Sequence, residues 1–143
     1  SNVGIVFQSF HLVPTMMAVE NVALPLELAD VASAFEKAET MLGEVGLGHR
    51  LTHYPAQMSG GEQQRTALAR ALVANPPVLF ADEPTGNLDQ NTGRQIMDLI
   101  LRLAEERGTS VLLITHDRAL ADRCARVETM QDGRLLSACD KAS

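Results

Sequence analysis

Val78-Leu79-Phe80-Ala81-Asp82-Glu83-Pro84 sets four apolar residues directly before two adjacent carboxylates. A short continuous apolar run after a turn signal, here Pro76-Pro77, suits a strand buried on both faces, as in a parallel sheet. In open α/β sheets, ligands sit beyond the carboxyl ends of the strands, and Asp82 and Glu83 stand at that end. One carboxylate there can hold Mg²⁺, directly or through water. The next can accept a proton from an attacking water.

Downstream, Ile96, Leu99, Ile100 and Leu103 recur at spacings of three and four. That pattern predicts a helix over about 90–107, with Gly108 as its C-terminal cap. Residues 110–115 predict a second buried strand, 118–125 a short helix, and 126–131 with 134–138 a hairpin around Asp132-Gly133. Upstream, Ser59-Gly60-Gly61-Glu62 fits a capping box, in which the Ser59 hydroxyl accepts from the Glu62 amide and the Glu62 carboxylate reaches back. Such a cap contributes about 1 kcal/mol. Leu68, Ala71 and Leu72 give that helix its buried face, and Pro76-Pro77 stops it. Phe35, Ala38, Met41, Leu42 and Val45 mark an earlier helix from Ser33, ended by Gly46 and Gly48. Residues 9–32 are mixed, interrupted by Pro14 and Pro25, with a short helix at 18–24. Residues 3–7 read as a strand ending at Gln8. The order argues for an α/β fold with a helical insertion at 9–75, leaving 3–8 and 76–143 as the rest of the core.

The chain has 143 residues and a net charge of −6. Only Lys37 and Lys141 are lysines, and no basic stripe appears, so nucleic acid is not an expected partner. The most apolar runs are far too short to cross a bilayer. The first residues show no basic segment leading into an apolar one, so a signal peptide is not expected. Cys124 and Cys139 have no metal-ligand spacing and read as ordinary reduced thiols.

Three further motifs carry chemistry. In Ser59-Gly60-Gly61-Glu62, two glycines at a helix N-terminus leave backbone amides open to an anion, with the helix dipole adding positive charge. In Leu113-Ile114-Thr115-His116-Asp117, a histidine that can donate to a phosphate oxygen follows a buried strand. Asn87-Leu88-Asp89, after Pro84-Thr85-Gly86, reads as a turn and a helix N-cap.

Taken in order with Gln8, these motifs resemble the ATP-binding cassette (ABC) ATPases over about residues 8–133. The resemblance implies an α/β, P-loop NTPase-like core with an inserted helical signature subdomain. It implies Mg²⁺ and ATP as cofactor and substrate, and a homodimer in which two motor domains sandwich two ATP molecules head to tail. Ser59, Gly60, Gly61 and Glu62 would meet nucleotide held mainly by the partner. Asp82 would hold Mg²⁺, Glu83 would be the general base, and His116 would bind the γ-phosphate. Gln8 would sense Mg²⁺ and the attacking water, and Asp89 would bridge the two domains. Met58 stands where the family usually has Leu, a volume-conserving exchange.

Val6-Phe7-Gln8-Ser9-Phe10-His11-Leu12-Val13-Pro14 and Glu20-Asn21-Val22-Ala23-Leu24-Pro25-Leu26 are similar to the lipoprotein-release and macrolide-export (LolD/MacB-type) branch, and to YbbA-type subunits within it. That implies a transmembrane permease as a second partner and a place on the cytoplasmic side of the inner membrane. Phe10, Leu12, Met16 and Met17, within 9–17, are the expected surface contact. The alternatives are a soluble ABC ATPase outside transport, or an inactive interaction fragment.

The sequence contains no Gly-x-x-x-x-Gly-Lys-Ser/Thr, the loop that cradles the β- and γ-phosphates. The expectation is therefore an N-terminally truncated motor domain, without the phosphate-loop strand, unable to bind or hydrolyse ATP alone. An open sheet edge beside 111–114 would then favour self-association.

Overall fold

The computed structural model describes residues 3–124, 126–131 and 134–136, with side chains up to Glu128. In chain order the elements are β1 (Val3–Val6), α1 (Ala18–Leu28), α2 (Ala34–Glu44), a 3-10 turn (Pro55–Gln57) and α3 (Gly60–Leu72). Then follow β2 (Val78–Asp82), α4 (Gln90–Arg107), β3 (Ser110–Ile114), α5 (Arg118–Ala121), β4 (Thr129–Gln131) and β5 (Arg134–Leu136).

The main sheet is parallel, with β2 between β1 and β3. Val6 pairs with Ala81, which pairs with Leu113. All three carboxyl ends therefore point the same way, bringing Gln8, Asp82-Glu83 and His116 to one end of the sheet. One sheet face is covered: Val6, Leu79 and Ala81 are buried there. The core continues into the helices through Met41, Leu42, Leu68, Leu72, Ile96, Met97, Ile100 and Leu103. β4 and β5 pair antiparallel with Gln131 opposite Arg134, as a hairpin requires. The Asp132-Gly133 turn, Ala138, Cys139 and Lys141 lie outside the described residues. Cys124 is a half-buried free thiol.

Several sequence expectations need correction. The first helix runs to Leu28, through Pro25, because Val19, Val22, Ala23 and Leu26 keep one buried face past the proline. Packing of that face outweighs the one helical hydrogen bond that proline removes. On α2, Ala34 is buried where Phe35 was expected, and Phe35 is 44% exposed. α3 ends at Leu72, before the prolines, with Asn75 in the left-handed region at φ 52° turning the chain. The last helix is a single turn, Arg118–Ala121, with Asp117 Oδ1 accepting from the Ala119 amide at 3.0 Å.

β2 and β3 were expected to be buried on both faces. Only one face is covered. Leu112 and Ile114 are 53% and 44% exposed, with Val3 and Ile5 of β1 in the same layer. The helices that follow β1, β2 and β3 in sequence do not cover that second face.

Candidate functional site

The site begins where β2 ends. Glu83 adopts φ +46°, in the left-handed region, although it is not glycine. Such a conformation costs about 1–3 kcal/mol and persists only where the surroundings over-determine it. Here they do. The Glu83 amide donates to the Ile114 carbonyl at 2.8 Å, one step past the β2–β3 ladder. The Gly86 amide donates to the Glu83 carbonyl at 3.0 Å, closing a turn.

The Glu83 carboxylate is held from β3's end. Its Oε1 accepts from the His116 amide at 2.8 Å and lies 2.5 Å from His116 Nδ1. Its Oε2 is 3.4 Å from the Thr115 hydroxyl, a looser contact. The Glu83 side chain is 20% exposed and that of His116 is 91% exposed. The Thr115 hydroxyl also accepts from the Asp117 amide at 2.9 Å, which fixes the strand's exit.

Gln8 follows β1 at the same end. Its Nε2 donates to Asn87 Oδ1 at 3.2 Å, and Asn87 Nδ2 donates back to the Gln8 carbonyl at 2.9 Å. This reciprocal pair ties the β1 exit to the turn after Glu83. Gly86 makes it possible: a Cβ there would stand 2.7 Å from the Gln8 side-chain carbon Cδ. Asp82, the last residue of β2, is half-buried and pairs in register with Ile114. Among the described residues no cluster of three His, Cys, Asp or Glu side chains could hold a metal. At this end of the sheet Asp82 carries a carboxylate and Gln8 an amide oxygen, both hard oxygens. They suit Mg²⁺, which binds through one or two protein oxygens with water and substrate phosphates completing its shell.

The N-terminus of α3 is built as the sequence predicts. Ser59 Oγ accepts from the Glu62 amide at 3.1 Å, and the Ser59 amide donates to Glu62 Oε1 at 3.0 Å. Glu62 Oε2 also meets Arg50 Nε at 3.1 Å. The Ser59 amide, then Arg50, hold the Glu62 carboxyl below its ordinary range despite some desolvation. Gly60 and Gly61 occupy the first two helical positions, whose amides have no partner inside the helix.

These glycines have a second role that the sequence did not disclose. A Cβ on Gly60 would meet Leu88 Cδ2 at 3.3 Å, and one on Gly61 would meet Thr92 Cγ2 at 2.7 Å. The start of α3 therefore lies directly on the start of α4. Asp89 caps α4 there, with Oδ2 accepting from the Thr92 amide at 3.3 Å. Bonds from Thr92, side chain first and amide second, lower the Asp89 pKa.

Residues 9–17 have no regular structure, yet they are firmly held. Asn21 is fully buried: its Nδ2 donates to the carbonyls of Val13, Met16 and Met17, and its Oδ1 accepts from the Val13 amide at 2.8 Å. Arg70 donates to the carbonyls of His11 at 2.9 Å and Phe10 at 3.3 Å. The rings of Phe7 and His11 stack at 4.5 Å. Phe10, Leu12, Met16 and Met17 are half-buried rather than open, and Leu12 and Met17 pack against the core.

A cavity of about 700 Å³ lies elsewhere, lined by Leu26, Lys37, Met41, Glu44, Asn75 and Arg107. Asn75 and Arg107 precede the amino ends of β2 and β3, so this cavity is at the wrong end of the sheet for the strand-end chemistry.

The "ABC transporter" family model matches residues 1–86. The chain is 54% identical over 136 residues to the uncharacterized ABC transporter ATP-binding protein YbbA of Escherichia coli (strain K12), covering 94% of this chain and 60% of that protein. It is 47% identical over 138 residues to the lipoprotein-releasing system ATP-binding protein LolD of Geobacter metallireducens, covering 95% of this chain and 61% of that one. Among solved structures it is similar to a dimeric ATP-binding cassette in a post-hydrolysis state bound to ADP and Pi. The TM-score is 0.80 at 39% identity, covering 96% of this chain and 63% of that one. A dimeric bacterial ABC transporter cassette gives 0.81 at 40% identity, with the same coverage. The chain thus spans about 60% of the length of the curated relatives it matches.

Proposed function

The chain belongs to the ABC transporter family, in its ATP-binding subunits, and from that premise we propose that it is part of an ATP-hydrolysing motor. Its transporter is of the bacterial export or lipoprotein-release type. The observation that carries this reading is the meeting of Glu83, His116 and Gln8 at the carboxyl ends of three parallel strands, with Glu83 held in a strained conformation by the residues around it.

The residues suggest a division of labour. Glu83 is the general base. Its Oε1 already accepts from His116, so the less engaged Oε2 is the oxygen that takes the proton from water. The water oxygen then bonds to the γ-phosphorus as the bond to the ADP oxygen breaks, giving ADP and phosphate, with the water's proton on Glu83. His116 stands beside the base to donate to the γ-phosphate, and Gln8 orients the water. Asp82, with Gln8, would hold Mg²⁺, which when bound neutralises phosphate charge. Ser59 and the amides of Gly60 and Gly61 serve nucleotide bound mainly by a second copy, and Asp89 bridges the two. In this reading residues 9–75 form a helical subdomain and 3–8 with 76–143 belong to the catalytic core. The segment 9–17 faces a transmembrane permease, on the cytoplasmic side of the membrane. No helix among the described residues is long and apolar enough to cross a membrane.

Two experiments test the proposal. With the protein at its relatives' full length, Glu83→Gln keeps Mg-ATP binding and loses turnover; normal turnover in that variant removes Glu83 as the base. In the 143-residue sequence, which lacks the phosphate-loop motif, calorimetric titration with Mg-ATP shows no binding. Stoichiometric binding there would refute the proposed dependence on that loop.

A further inference from the structure

We propose that Gln64 is a positioning residue that holds the two sides of the hydrolytic site at a fixed separation. The inference starts from an anomaly in α3. Gln64 lies on the face that also carries Gly60, Leu68 and Leu72, and none of its surface is exposed. An amide at such a position is unfavourable unless its hydrogen bonds are made.

Its donors are used in one specific way. Nε2 donates to the Phe7 carbonyl at 3.1 Å and, more closely, to the Pro84 carbonyl. Phe7 immediately precedes Gln8, and Pro84 immediately follows Glu83. Both carbonyls lie past the last residues of β1 and β2, where the ladder no longer fixes the chain. One side chain therefore spans the exits of two strands. Pro84 has no amide hydrogen, so its carbonyl is its only backbone group for hydrogen bonding.

The acceptor end of the same amide points to a positional role. Gln64 Oε1 is buried without a hydrogen-bond partner. A leucine or methionine would carry no unpaired side-chain oxygen, but it would leave the Phe7 and Pro84 carbonyls without this donor. What the glutamine does here is done by its donors, which hold two carbonyls from different strand exits. The held segment is also the one that needs holding, because the Pro84 carbonyl is adjacent to the left-handed Glu83. The helix that carries Gln64 begins at Ser59 and also clamps Phe10 and His11 through Arg70. α3 thus links the phosphate-facing residues to Gln8 and Glu83 through side chains.

This rests on Glu83 and Gln8 being the reacting groups, but the first measurement does not. Amide exchange by NMR is compared between the 143-residue chain and its Gln64→Met variant. Loss of the two bonds should speed exchange about tenfold at Glu83, Gly86 and His116. The amides of Glu62 and Asn21, held by other groups, should stay within twofold. Equal rates at the first three, or a uniform rise at all five, overturns the proposal. Gln64→Asn keeps the donors but shortens their reach, and is expected to act at the same three amides. Failure of both variants to fold would show a structural role and also overturn it.

The second measurement uses the full-length protein. Gln64→Met lowers kcat at least tenfold with KM within threefold, and adds nothing further in a Glu83→Gln background. A raised KM with unchanged kcat refutes positioning. Absence of ATPase activity in the wild type refutes the proposed function, and the exchange data then decide Gln64 alone.

Discussion

Substituting Gly61 with alanine separates two reasons for a glycine at this position. Alanine is the better helix former by up to about 1 kcal/mol, and less than that near a helix end. If Gly61 served only to bare its amide, Gly61→Ala would leave the chain as stable or slightly more so. The structure predicts the opposite. The new Cβ would stand 2.7 Å from Thr92 Cγ2, about 1 Å inside ordinary carbon contact. Relieving it means shifting a methyl wedged between the starts of two helices, and overpacking of this kind costs about 1–3 kcal/mol. The net expectation is a loss of about 1 kcal/mol. Thr92→Ser removes that methyl while keeping the hydroxyl beside Asp89, so in that background Gly61→Ala should be neutral or stabilising. Urea unfolding of the four proteins completes the cycle, with a coupling of about 2 kcal/mol expected. A stabilising Gly61→Ala with Thr92 in place, or a coupling near zero, would refute the close-approach argument.

Other expectations follow from the same geometry. Asn21→Ala strands the Val13 amide and carbonyl, so stability should fall by about 2–3 kcal/mol and proteolysis within 9–17 should quicken. Unchanged cleavage would mean the segment is held by other contacts. Glu62 has a depressed folded pKa, so its contribution is present above its ordinary value near 4.5 and is lost as pH falls through the folded value. Glu62→Gln should therefore flatten the loss of stability below about pH 4.5, and an identical acid limb in wild type and variant would count against it. Val3, Ile5, Leu112 and Ile114 present an apolar layer to solvent. Sedimentation should show concentration-dependent association that Leu112→Lys with Ile114→Lys reduces; a monomer at all concentrations contradicts this.

Much of the fold was legible because local rules agreed. The helix over 90–107 was readable to its ends: apolar spacing set the face, Asp89 capped one terminus, and Gly108, at φ 66°, ended the other. The same holds for Ser59 and Glu62 at the start of α3. The failures share a cause, which is that tertiary contact decided them. Periodicity cannot tell that β3 has one covered face, because an apolar run looks alike whether one layer or two lie against it. It placed Phe35 on the buried face of α2, yet packing chose Ala34, one position away. It stopped α1 at Pro25, although the buried face continues to Leu26. In each case the sequence carried a real local preference that packing against a distant segment overrode.

The site divides along the same line. Carboxylates after an apolar run, or a histidine after another, can be noticed one strand at a time. What brings them together is long-range. The bonds that matter run from His116 to Glu83, from Asn87 to Gln8, and from Gln64 to both Phe7 and Pro84. Gln64 did leave a trace, since it repeats the Gly60, Leu68, Leu72 face at helical spacing and is the polar residue on a stripe meant for burial. A polar residue in such a place is either an error of register or a side chain with a partner elsewhere. Register is excluded here, because Leu68 and Leu72 on the same stripe are fully buried. The glycines of α3 complete the argument. Their amides lack partners inside the helix, while their missing Cβ atoms let α4 approach, so in the proposed function one pair of residues would serve both the nucleotide and the packing beneath it.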